Sequence, residues 1–251
     1  MIRMLTVDLE KMFGNYRFYV GVVGIALGNC LSAFEAVTNG GGRAGLEDVF
    51  LGVMGGSSFL LILMLCVIGG GFSFCEEQKN GNIRLTALRA GVKPYVVSKV
   101  ISAFAGGYLV TLLGFLLSVF GMALLIRCEY HGEVRSFAGG EQTVWMVEYM
   151  VCISFLGALM SVVGLAVTTV LPNFFVGMAM PILIYYLWLS LDAWFAFPQF
   201  LTPRCYFVYE NTLQWGSRVW QLLYAFLFTC VLSWLLYGFC CRTIQRRLEN
   251  D

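Results

Sequence analysis

Six runs free of Asp, Glu, Lys and Arg divide this chain: Phe18 to Phe34, Phe50 to Phe74, Val100 to Ile126, Tyr149 to Leu171, Phe174 to Leu191 and Val219 to Cys241. Each approaches the ~20 apolar residues that an α-helix needs to cross ~30 Å of hydrocarbon. The predicted fold class is therefore all-α: a polytopic membrane protein with six transmembrane helices, at about 18–37, 50–74, 100–126, 145–171, 174–194 and 219–241, forming a single transmembrane domain over 1–251. The fourth and fifth runs are separated only by Pro172-Asn173. One helix through both would be too long for a single crossing, so a tight hairpin is expected, with Pro ending the ladder and Asn suiting the turn. Before the first run, Ile2, Leu5, Leu9, Met12 and Phe13 recur at helical spacing among Arg3, Asp8, Glu10 and Lys11. That pattern predicts an N-terminal interfacial amphipathic helix within 1–17.

Composition strengthens this picture. Of 251 residues, 59% are hydrophobic and 12% charged, and mean hydropathy is +0.77, whereas a soluble domain carries about a quarter charged residues. The net charge of +1 gives no basic bias, and no nucleic-acid partner is expected. Asp8 and Glu10 precede the first run and no small-residue cleavage site follows it, so the first span is expected to be retained.

Orientation follows from Lys and Arg in short loops. With the N-terminus inside, eleven (Arg3, Lys11, Arg17, Lys79, Arg84, Arg89, Lys93, Lys99, Arg242, Arg246, Arg247) face the cytoplasm and five (Arg43, Arg127, Arg135, Arg204, Arg218) face out, together the sixteen in the chain. Both termini are then cytoplasmic in a cell membrane, with a bacterial source expected. Tyr16, Phe18 and Tyr19 inside, and Trp145, Trp194, Trp215 and Trp220 outside, fall near the two boundaries, as amphipathic rings do.

The most charged stretch, CEEQKNGNIRLTALRAGVKPYVVSK from Cys75 to Lys99, lies on the inner side of this arrangement. Asn80 or Asn82 suits a helix start, Ile83 to Ala90 gives about two turns, Gly91 suits a left-handed stop, and Pro94 fits the first turn of the next helix. Ile83, Leu85 and Leu88 supply apolar surface, and Arg84 and Arg89 supply charge. Such an element suits docking of a soluble partner, while a plain solvated loop would need only its basic residues. Glu76 and Glu77 favour docking geometry, since acidic residues add little to topology and here stand ready to pair with basic residues of a neighbouring element.

The interfacial helix, the six spans and this loop together resemble the permease (transmembrane) subunits of type-2 ATP-binding-cassette (ABC) exporters. The matching residues are Phe72, Phe74, Glu76, Glu77, Gly81, Ile83, Leu85, Pro94, Tyr95, Ser98 and Lys99. In that family the loop is a short cytoplasmic coupling helix seated in a nucleotide-binding subunit. The resemblance implies docking of a partner ATPase through Glu76, Glu77, Ile83, Arg84, Leu85, Leu88 and Arg89. It also implies ATP and Mg on that partner with no cofactor in this chain, and a second permease copy or homologous permease beside it in membrane lipid. The compact segment Asp192 to Arg218, broken by Pro198 and Pro203, departs from the larger insertion or re-entrant helices often found in the family.

No phosphate-loop motif is present, so no ATPase and no catalytic residue is expected in this chain. The single histidine, His131, stands near Glu129 and Glu133 without a second nitrogen or thiolate set, and no metal site is expected. Gly55 to Ser58 reads Gly-Gly-Ser-Ser, but no His or Lys within a span would activate a serine. Spans rich in Phe, Leu and Met suit an amphipathic or hydrophobic cargo such as a peptide, lipid-linked molecule or drug. The alternatives are an ion-coupled secondary transporter, for which Glu35, Glu148 and Asp192 all lie near the outer boundary rather than mid-span, and a non-transport assembly or sensor protein. Gly24 with Gly28, and Gly52 with Gly56, form small-residue faces for packing within the bundle or for a dimer seam, with Gly69 to Gly71 as a flexible joint in the latter case. Cys128 and Cys205, in polar loops, are a candidate disulfide or two free thiols.

Overall fold

Two asparagines set the joints that the hydropathy pattern leaves to local chemistry. In a computed structural model, Asn15 Oδ1 accepts the Arg17 N–H at 3.1 Å, and Asn173 Oδ1 accepts the Phe175 N–H at 3.0 Å. Each bond satisfies an orphan donor in the first turn of a helix, as an N-cap does. Asn15 starts α2 (Tyr16–Asn39) immediately after α1 (Ile2–Gly14), and Asn173 starts α7 (Phe174–Phe195) immediately after α6 (Gly140–Val170). The expected hairpin at Pro172-Asn173 is present. The structure describes residues 2–39, 50, 58–79, 89, 91–129, 140–195, 198, 201–202, 206 and 218–250, and no strand occurs among them.

The remaining helices are α3 (Ser58–Leu65), a 3-10 turn at Cys66–Gly69, α4 (Ser73–Lys79), α5 (Val92–Glu129) and α8 (Arg218–Asn250). Among the described residues, five helical segments are long and apolar enough to cross a bilayer: Tyr16–Glu35, Val92–Leu124, Val144–Val170, Phe174–Phe195 and Val219–Arg247. A shorter apolar stretch, Ser58–Gly69, accompanies them. Helix α6 is the axis of the bundle, with 83% of its span buried against 17% for α7 and for α8. The outward surfaces of the peripheral helices are apolar, with Leu27, Leu31, Phe175, Leu187, Val231 and Trp234 exposed. A surface of that kind is compatible with a multi-pass membrane protein and would be unfavourable in water.

The expected second span, 50–74, differs from a continuous helix. Its described part breaks at Cys66–Gly69, turns through Gly70–Phe72 and resumes as α4. The glycine triplet explains the break. A Cβ on Gly69 would lie 2.7 Å from the Gly106 carbonyl oxygen, and one on Gly70 would lie 2.6 Å from Ala103 Cα. The turn thus sits backbone-to-backbone against α5, an approach open only to residues without a side chain. Gly71 donates to the Val67 carbonyl at 2.8 Å, and Thr168 Oγ1 donates to the Gly71 carbonyl at 3.2 Å. Partners within the protein allow a broken helix to survive in an apolar bundle. Packed this closely, the triplet is a contact point between the turn and α5.

Small residues also set the other crossings. Gly107, Thr111, Gly157 and Ser161 interlock between α5 and α6. Between α2 and α5, Asn29 Nδ2 donates to Ser118 Oγ at 3.0 Å in a fully buried setting, a cross-helix bond of the kind that holds apolar bundles together. Helix α5 extends past its expected span at both ends. Its 38 residues give a rod of about 57 Å, nearly twice the hydrocarbon thickness.

Candidate functional site

Tyr95, Ser98 and Lys99 lie at i, i+3 and i+4 in the first turns of α5, so all three project from one face. Before them Gly91 takes φ +81°, the left-handed conformation expected at that stop, and Pro94 sits in the opening turn. Helix α1 packs across this face, and α4 ends beside it. Lys99 Nζ lies 2.8 Å from Asp8 Oδ1 of α1 and 2.6 Å from Glu77 Oε1 of α4. Ser98 Oγ donates to Asp8 Oδ2 at 2.5 Å, and Tyr95 Oη donates to Glu77 Oε2 at 2.7 Å. Both carboxylates thus receive one charged and one neutral donor.

Burial makes this network consequential. The side chains of Lys99, Asp8 and Glu77 are 3%, 7% and 15% exposed. A buried ammonium is costly unless paired and hydrogen-bonded, so removing any one partner leaves an uncompensated charge. Lys11 lies 3.9 Å from Glu77 but is 67% exposed, and at that exposure it adds little energy.

The next residue along α4 reaches the opposite way. Gln78 Oε1 accepts from Arg247 Nη1 of α8 at 3.2 Å, while Arg247 Nη2 donates to the Val170 carbonyl at 2.6 Å. Val170 is the last residue of α6, so this guanidinium satisfies an orphan carbonyl at a helix C-terminus, where a cation is favoured. Glu77 and Gln78, adjacent in sequence, therefore tie the end of α4 to α1 and α5 on one side and to α8 and α6 on the other. Beneath them Phe74, Tyr95, Val96, Val100, Val162, Leu165, Cys240 and Ile244 form a buried apolar cluster. The root of segment 80–90 is anchored to four other helices.

Of the residues expected to dock a partner, Glu77 lies in this network and Arg89 is exposed. Glu76 is in α4, but its side chain lies outside the described residues, as do Ile83, Arg84, Leu85 and Leu88. Gly24 and Gly28 face α3: a Cβ there would lie 2.9 Å from Leu65 Cδ1 and 3.1 Å from Leu61 Cδ1 respectively. Gly52 and Gly56 lie outside the described residues, as do His131 and Cys205. Cys128, expected in a loop, is in the last turn of α5, with its side chain undescribed.

Asp8 and Arg247 were not singled out by sequence, although Asp8 carried a signal. It stands three residues after Leu5 and four before Met12, on the apolar stripe of α1 rather than its polar face. A carboxylate there needs an internal partner. Glu148, expected near a boundary, is buried at 4% exposure on α6. Close by, Phe50 packs edge-on against Tyr149 at 5.6 Å, and Trp145 lies 5.8 Å from Tyr149.

No family model, curated protein or solved structure matches the chain.

Proposed function

We propose that this chain is the permease subunit of an ATP-driven exporter of the type-2 ABC kind, moving an amphipathic or hydrophobic cargo with energy supplied by a separate ATPase chain. Six crossings are inferred: the five long helices, and a sixth made by Ser58–Gly69 with the residues before it. The charge distribution of the loops puts both termini and segment 80–90 in the cytoplasm. A second copy, or a related permease, completes the pathway.

One observation carries the reading. Consecutive residues at the end of α4, Glu77 and Gln78, are bonded to Lys99 and Arg247 on two different helices. A segment that only connected two spans would gain nothing from so firm a root. A segment that receives force from a soluble motor needs one, because displacement at its tip moves the helices only if its base does not yield. By sequence, Ile83, Leu85 and Leu88 are the expected apolar contact for such a motor, with Arg84 and Arg89 as charged flanks. In this account Glu77 is a positioning residue, and ATP and Mg stay on the partner.

The test is purification of the tagged full chain from its native membrane, with any bound Walker-motif ATPase identified by mass spectrometry. The expected result is a stable complex, lost in Leu85→Asp and Arg89→Glu while the variants still insert in the membrane. Absence of a complex with the unaltered chain, or complexes indifferent to both substitutions, would exclude the permease reading.

A further inference from the structure

Helix α8 turns one face outward, and that face changes character near its inner end. Val231, Leu235, Phe239, Arg242 and Arg246 are all exposed, and at 3.6 residues per turn they fall within a sector of about 80°. The first three are apolar and the last two are cationic. Length places the change at a membrane boundary. The uncharged run Val219 to Cys241 makes about 34 Å of helix, close to the ~30 Å of hydrocarbon. Exposed Trp220 marks the opposite end, where such rings gather. The helix continues unbroken to Asn250, so both arginines stay in register with the apolar stripe.

Both guanidiniums are available to a ligand. Arg242 and Arg246 make no hydrogen bond and no ion pair among the described residues. Their charged neighbours are engaged elsewhere: Arg247 bonds Gln78 and the Val170 carbonyl, and Glu249 accepts from Gln245 at 3.3 Å. One turn apart, the two arginines have Cβ atoms about 6 Å from each other, near enough for both to reach a single phosphate. Their stems can run along apolar surface while the heads stay in the polar layer, and a guanidinium fork matches phosphate oxygens. A soluble acidic protein would neutralise the arginines and leave Val231, Leu235 and Phe239 uncovered. A phospholipid covers both parts of the face at once.

We propose that Arg242 and Arg246 clamp the phosphate of one anionic phospholipid, whose acyl chains lie along Phe239, Leu235 and Val231. The bound headgroup then stands beside Arg247 and steadies the turn of α8 that holds Gln78 of α4 and the end of α6. The site needs a bilayer lipid and no ATPase partner, so its test is independent of the permease reading.

The experiment is native mass spectrometry of the full chain in nonionic detergent, with equal amounts of phosphatidylglycerol and phosphatidylcholine. One phosphatidylglycerol is expected to remain per chain, with about tenfold preference. Arg242→Gln/Arg246→Gln is expected to abolish the preference, while Arg242→Lys/Arg246→Lys retains most of it. Lys11→Gln/Lys93→Gln removes two exposed cations elsewhere and is expected to leave the preference intact. If the double arginine variant does not fold, Arg246→Gln alone carries the same test, with a fall of about threefold expected. Equal retention of both lipids by the unaltered chain, or an unchanged preference in the arginine-to-glutamine variants, would overturn the site. An equal loss in the lysine variant would assign the preference to overall charge and overturn it too. Displacement of the lipid by millimolar glycerol phosphate would assign the arginines to a soluble phosphate compound and overturn the lipid source.

Discussion

Lys99 and Asp8, ninety-one residues apart in sequence, meet through a 2.8 Å ammonium–carboxylate contact with less than a tenth of either side chain in solvent. A second carboxylate, Glu77, lies 2.6 Å from the same ammonium. The pairing fixes α1 to α5 and makes the N-terminal helix part of the bundle. Lys99→Met leaves two carboxylates facing each other in a buried site, and the expected loss of stability is about 3–5 kcal/mol. Asp8→Leu/Lys99→Met removes the facing carboxylate pair but leaves Glu77 with Lys11, at 3.9 Å, as its only cation among the described residues, and is expected to recover part of that loss. Thermal unfolding followed by size-exclusion chromatography in detergent checks the pair, and a double variant no better than the single would argue against charge burial as the cause.

Gly70 and Gly238 offer a matched contrast. A Cβ on Gly70 meets Ala103 Cα at 2.6 Å, whereas nothing lies within 4 Å of one on Gly238 in α8. Gly70→Ala is expected to force the turn off α5 and lower thermal stability. Gly238→Ala should raise helix stability by about 0.5–1 kcal/mol, the ordinary gain of Ala over Gly in a helix interior. The midpoint temperatures of the two variants are expected to move in opposite directions.

Much of this arrangement was legible beforehand, for identifiable reasons. The hairpin at Pro172-Asn173 and the left-handed backbone at Gly91 depend on the local preferences of single residues, and both appear where the sequence places them. The pairing of Glu77 with a basic neighbour was also readable, because a carboxylate at a span's end has few ways to be satisfied. The break at Cys66–Gly69 was hidden, since a continuous apolar run reads the same whether it is α-helical or 3-10. The partnership of Asp8 with Lys99, and of Arg247 with Val170, depends on how distant helices pack. No local pattern encodes that, although the misplaced charge on the α1 stripe hinted at it.

Arg247 joins the end of α6 to Gln78 of α4. Arg247→Ala removes a charge-assisted bond to a helix-terminal carbonyl, a change expected to cost about 1–2 kcal/mol. Hydrogen–deuterium exchange should quicken across 73–79 and in the last turn of α6, with the middle of α5 unchanged. Lys in place of Arg should restore only part of the protection, since one ammonium cannot reproduce the two-pronged contact.

Trp234 is 70% exposed on α8 and lies near the middle of the apolar stretch Val219–Arg247. In water, a substitution at so exposed a site would be almost neutral. In a bilayer, Trp234→Asp places a charge against lipid, with an expected insertion cost of about 2.5–3.5 kcal/mol. Membrane-fraction yield should fall sharply for Trp234→Asp and hardly at all for Trp234→Leu.

Photo-cross-linking from position 85 tests the permease reading most directly. Leu85, replaced by p-benzoylphenylalanine in the full chain expressed in its native host, is expected to yield an adduct with a Walker-motif ATPase. The same probe at Leu61, exposed on the apolar surface of α3, should yield none. An adduct absent at position 85, or equal in yield at both positions, would contradict docking at segment 83–90.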